Sequence, residues 1–153
     1  MTNRLEALED WASGLLSQLE PAARSKLARN IGQTLRRSQQ QRITAQRNPD
    51  DSKFAPRKRD RIREKKGRLK RKRLMFQKLR TARLLKAYGN SSVVSVGFIG
   101  RVGRIARIHQ FGLKEPADGR RPEIKYSQRQ VLGFREEDLD LIKRQLISSL
   151  IST

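Results

Sequence analysis

The amino-acid sequence predicts an α+β fold. Apolar residues recur at helical spacing near both ends of the chain, over 3–47 and 136–151. Between them lies VVSVGFIG at 93–100, the one stretch dense in both β-branched residues and glycine, and the turn residues GNSS separate it from a second strand-like run. The predicted architecture is an N-terminal helical hairpin (1–47), a basic loop or arm (48–73), and a core with a small antiparallel sheet and a closing helix (74–153), all within one structural domain.

Residues 3–19 place Leu5, Leu8, Ala12, Leu15, Leu16 and Leu19 on one helical face. Thr2 or Asn3 can cap the start, and Glu6 and Glu9 suit the positive end of the dipole. Pro21 disfavours helical geometry at Glu20 and opens the next helix. That second helix runs to about 47 on the stripe Leu27, Ile31, Leu35, Ser38 and Arg42. Its latter part, RRSQQQRITAQR at 36–47, is polar nearly all round and is expected to extend from the body as a solvated or partner-facing end. NPDD at 48–51 turns the chain, and Phe54 anchors the loop that follows.

Residues 74–81, LMFQKLRT, read as a short helix; 82–88 and 93–98 read as a hairpin; 102–110 reads as a second short helix, although helix and strand both fit its mixed spacing. A loop with two prolines covers 114–122, a third strand 123–127, and an apolar corner 131–134. The closing helix carries Leu139, Ile142, Leu146, Ile147 and Leu150 on one face, with Glu136, Glu137 and Asp138 in its first turn.

Composition narrows the function. The chain has 36 Lys and Arg against 15 Asp and Glu, a net charge of +21, so it needs an anionic counterpart: nucleic acid, an acidic protein surface or anionic lipid. It has no cysteine and one histidine, which excludes disulfides, thiol catalysis and a multi-histidine metal site within one chain. Catalytic, metal and cofactor sites are therefore all expected to be absent. No apolar run approaches the roughly 20 residues that span a bilayer, and the N-terminus lacks a signal-peptide layout. A soluble protein made in the cytoplasm, without membrane contact, is expected.

Three features invite a sharper reading. His109 is the single imidazole, but between Ile108 and Gln110 a packed, hydrogen-bonded role outweighs a catalytic one. GFIGRVG has the glycines of a phosphate loop without its Gly-Lys-Ser/Thr ending. The stretch 93–112 is thus read as a rigid scaffold in which Gly97, His109, Phe111 and Gly112 are structural, with His109 and Phe111 packed at its end. The third feature is the arm. Residues 57–73 hold 12 basic and 2 acidic residues: Arg57, Lys58, Arg59, Arg61, Arg63, Lys65, Lys66, Arg68, Lys70, Arg71, Lys72 and Arg73 against Asp60 and Glu64. Docking on an acidic partner face, contact with DNA phosphates, and a merely solvated arm all remain open. No aromatic residue interrupts the block, which weighs against single-strand binding.

The succession SQQQRITAQRNPD, FAPRK, MFQKLRTARLLKA, VGFIGRVGRIARIHQFGL and YSQRQVLGF before a closing helix resembles the phage virion morphogenesis (tail completion) family of contractile-tailed, Mu-like phages, over about residues 5–150. The section 96–134 is also similar to the wider group of head–tail joining proteins. The resemblance implies a non-enzymatic structural protein of the virion neck, assembled in the host cytoplasm. It implies a homo-oligomeric ring, a hexamer or a multiple, at the head-proximal end of the tail, enabling heads and tails to join. The implied partners are tail tube or terminator and head connector proteins, with DNA passing through the lumen. The alternative is a basic accessory protein that contacts DNA phosphates through 57–73.

Overall fold

A computed structural model describes residues 2–57, 74–116 and 123–152. In chain order the elements are α1 (Thr2–Leu16), α2 (Pro21–Thr44), β1 (Leu85–Gly89), β2 (Val94–Phe98), α3 (Arg101–Phe111), β3 (Lys114–Pro116), β4 (Glu123–Lys125) and α4 (Glu136–Ile151). The fold class is α+β, as predicted.

The long helix α2 is the axis of the molecule, because its buried stripe runs nearly its full length. Leu27, Ala28, Ile31, Gly32, Leu35, Gln39, Arg42 and Ile43 are all buried, at successive helical turns. Both the hairpin β1–β2 and α4 pack against it. Period-two alternation sorts the hairpin: Leu85 and Ala87 face α2, whereas Lys86 and Tyr88 are exposed. Gly89 comes so close to α2 that a Cβ there would fall 2.6 Å from the Ala28 carbonyl carbon, so only glycine lets strand and helix backbones meet. Val96 reaches a cluster of Ala12, Leu19, Leu27, Ile31, Leu35 and Leu146, to which Leu16, Ile142 and Leu150 add. The closing helix therefore completes the core that the two N-terminal helices begin.

A second cluster gathers Ile43, Ala106 and Val131 with Phe76, Phe98 and Leu132. Ile43 is fully buried, worth about 2–3 kcal/mol. Its position corrects one expectation. The polar latter half of α2 does not leave the body as a solvated end; it runs through the centre, with Arg42 only 1% exposed and Gln39 buried beside it. Polarity alone suggested solvent, but these side chains have found hydrogen-bond partners inside.

The segment 74–81 makes consecutive turns in place of the expected helix. Phe76 adopts a left-handed backbone (φ 64°), which interrupts helical geometry. The Met75 amide and carbonyl are bound instead by the Gln46 side chain, at 2.7 and 2.9 Å. Residues 114–116, expected to be loop, form β3 and pair with β4 in a second two-stranded antiparallel sheet, separate from β1–β2. The expected third strand thus joins a different sheet from the hairpin.

Candidate functional site

Among the described residues, side chains from three directions hold the segment 130–133 by its backbone. The Arg42 guanidinium donates to the carbonyls of Gln130 (2.7 Å), Val131 (2.9 Å) and Arg47 (2.8 Å) and to Gln39 Oε1 (2.7 Å). The Gln39 amide then pairs with both backbone groups of Gly133: its Nε2 donates to the carbonyl and its Oε1 accepts from the N–H. Gln110 of α3 treats Leu132 in the same way, and Asn48 Oδ1 accepts from the Gln130 N–H. A glutamine side chain carries one donor and one acceptor side by side, like a peptide unit. These residues act as a substitute strand for a loop that has none. Burial pushes the Arg42 pKa down to about 10, with Arg135 lowering it further and Asp138 opposing. The guanidinium stays charged at neutral pH.

A second buried arginine ties this segment to the roots of the basic arm. Arg129 donates to the carbonyls of Ala55 and Pro56, both at 2.8 Å, just before the arm leaves. The returning chain is gripped at Met75 by Gln46, and the Phe54 and Phe76 rings meet edge to face at 5.7 Å. The two roots of the arm are therefore pinned side by side. Phe76 also packs on His109 (4.9 Å), and His109 on Tyr126 (5.3 Å).

His109 lies at the hub of this row. Arg129 Nη1 is 3.2 Å from its Nδ1. Arginine only donates, so Nδ1 is the acceptor and the ring proton sits on Nε2. Burial, followed by the Arg129 charge, pushes the His109 pKa down to about 4, and the ring is neutral at physiological pH. It is a packed acceptor whose free lone pair is already used. Asp138 is also committed: it accepts from the Arg135 N–H (2.8 Å), capping α4, and from the Ser38 hydroxyl of α2.

The predicted structural residues are divided by these contacts. His109 is buried, and Gly112 ends α3 in a left-handed conformation (φ 60°), a position that suits glycine. Phe111 does not pack: it stands 62% exposed, because the helical turn that buries His109 points its C-terminal neighbours outward. Gly97 has open space around its Cα, with nothing within 4 Å of a Cβ added there. Of the arm, Arg57 is exposed, and the residues from Lys58 to Arg73 lie outside the described residues. The residues that sequence reasoning missed are the glutamines and Arg129. A signal was present for α2, since Gln39 and Arg42 continue the stripe of Leu27, Ile31 and Leu35; Gln46, Gln110 and Arg129 gave none.

Among the described residues no cluster of three or more His, Asp or Glu is placed to hold a metal. No helix there is long and apolar enough to cross a membrane. Of two open concavities among the described residues, the larger, about 450 Å³, lies beside Arg37, Ser38 and Arg135, and neither includes His109.

Comparison with known proteins agrees with an assembly part. Residues 3–150 match the phage virion morphogenesis family. The chain is 38% identical over 149 residues to tail completion protein S of Escherichia phage P2, covering 97% of this chain and 98% of that protein. No solved structure matches. With the match running through α1, the arginine junction and α4 alike, the chain belongs to the phage virion morphogenesis family.

Proposed function

We propose that this protein is a structural component of a phage virion, without catalytic activity, that completes the tail. It forms a ring at the head-proximal end, through which finished tails join heads. The observation that carries the reading is the near end-to-end alignment, over 97% of this chain and 98% of its relative, with a protein named for tail completion. The side chains support it. The one imidazole is neutral with Nδ1 engaged, and Asp138, the most buried carboxylate among the described residues, is consumed as a helix cap. The work falls to surfaces. Arg129 and Gln46 hold the backbone at Ala55, Pro56 and Met75, on either side of the sequence block that carries the 12 cationic side chains. Their counterpart is an acidic face on a neighbouring tail or head-connector protein, where complementary charge speeds encounter and selects the partner.

The test is genetic and structural. Deleting the gene should leave filled heads and separate tails visible by electron microscopy, and the wild-type gene in trans should restore joined virions. Reversing charge at Arg71, Lys72 and Arg73 to Glu should cut the restored yield at least tenfold. Normal virion yield from the deletion would refute the proposal. Full restoration by the charge-reversed protein, together with steeply salt-dependent DNA binding by the wild type, would move the arm's role to phosphate contact.

A further inference from the structure

In a chain with a third of its residues charged, 87–100 (AYGNSSVVSVGFIG) contains no charge at all, the longest such run in the sequence. It includes all of β2. The β1–β2 sheet has only two strands among the described residues, so β2 is an edge. Which of its backbone groups are free follows from the register. Asn90 N–H donates to the Val93 carbonyl (2.9 Å) and Ile99 N–H to the Leu84 carbonyl (3.3 Å). The Leu85↔Phe98 to Gly89↔Val94 register then makes 86/97 and 88/95 the hydrogen-bonded pairs between them. The N–H and C=O groups of Val94 and Val96 therefore point away from β1, and no hydrogen bond from another described residue reaches them.

Proteins normally protect such an edge with charge, proline, a bulge or a covering element. Here the register runs unbroken, the strand holds neither charge nor proline, and none of its five residues is buried. Val93 is 51% exposed and Ile99 50%. An unprotected edge on an otherwise strongly cationic molecule is selective about its occupant. An acidic partner is drawn to the basic surfaces, not to a neutral one. Two identical copies, each at +21, repel wherever their charged faces meet, and like charges across an interface cost several kcal/mol. The uncharged edge is where they meet without that cost.

We propose that the β2 edge is the surface through which a second copy of this chain docks, by strand addition at Val94 and Val96. The inference rests on the oligomeric part of the proposed function: two β2 edges meeting form a two-fold contact, so the copies join in pairs and a second contact closes the ring from those pairs.

The experiment measures the mass of the purified full chain by sedimentation and light scattering from 1 to 100 µM, in physiological salt. Two variants probe the edge. Val94→Pro removes an outward N–H and leaves the hairpin's own bonds to Asn90 and Ile99 in place, and proline is tolerated at the first residue of a strand. Val93→Lys sets a charge beside the edge and keeps every backbone bond. The wild type should form a discrete oligomer, and each variant should raise its dissociation constant at least tenfold while retaining the wild-type circular dichroism. If Val94→Pro does not fold, Val93→Lys decides alone. A monomeric wild type, undefined aggregates, or oligomers of unchanged affinity in the folded variants each overturn the proposal. Unchanged oligomers together with failed tail completion in the deletion would sink this surface and leave the proposed function standing. A monomer whose Val94→Pro variant still blocks virion assembly would assign the edge to a different protein's strand.

Discussion

Replacing Arg42 with methionine should be among the most damaging single changes in the molecule. The arginine donates four hydrogen bonds at 2.7–2.9 Å, three of them to loop carbonyls. Bonds from a charged donor contribute about 1.5–3 kcal/mol each, so the gross interaction is on the order of 6–12 kcal/mol. Against this stands the cost of holding a guanidinium out of water, several kcal/mol, which methionine removes. Methionine also fills much of the volume but leaves the carbonyls of Gln130 and Val131 without their donor. The net loss should be about 3–5 kcal/mol, about a fifth or more of the stability of an ordinary domain. Urea unfolding followed by far-ultraviolet circular dichroism measures it, at two protein concentrations so that any oligomer dissociation is separated from folding. Arg42→Lys should lose somewhat less, because one ammonium reaches only some of the four acceptors. A loss below about 1 kcal/mol for Arg42→Met, with an unchanged denaturant slope, would mean that the 130–133 segment holds its shape without the arginine, and the staple argument would fail.

Acid should weaken the fold through His109. Its folded pKa of about 4 lies below the ordinary 6.5, so between those values the unfolded chain binds a proton that the folded chain refuses. The stabilisation is full above pH 6.5, falls as pH drops from 6.5 to 4, and is gone below. Its ceiling is about 3 kcal/mol; His109→Gln should flatten that part of the stability curve, and an unchanged slope would refute the assignment. The two glycines named from sequence should separate cleanly. Gly112→Ala forces a side chain into the left-handed region and places Cβ 3.2 Å from the Gln128 backbone nitrogen, so melting should fall by about 2–8 °C. Gly97→Ala meets open space and should leave melting unchanged or slightly raised; similar melting shifts for both would contradict the geometry.

Local pattern was enough for the parts of the fold that depend on near neighbours. Helices announce themselves by apolar residues three and four apart, and α1, α2 and α4 fall close to where that spacing puts them, whereas the mixed spacing of α3 fitted a strand as well. The β1–β2 hairpin was legible from β-branched residues flanking GNSS, and the order of sequence blocks was enough to suggest the family. The basic block was visible as charge, although a charge count carries no geometry and says nothing of what it touches. The junction was hidden because its contacts join residues far apart in the chain: Ser38 with Asp138, Arg42 with Val131, Gln46 with Met75, Arg129 with Ala55. A polar side chain looks the same in a sequence whether water or a carbonyl satisfies it, and folding alone decides which. Thus RRSQQQRITAQR reads as a solvated end and becomes the inner framework. Phe111, an aromatic residue after a histidine, reads as core and faces out. The edge of β2 is likewise a tertiary fact: its residues name a strand, but only a sheet with no third strand among the described residues leaves Val94 and Val96 open.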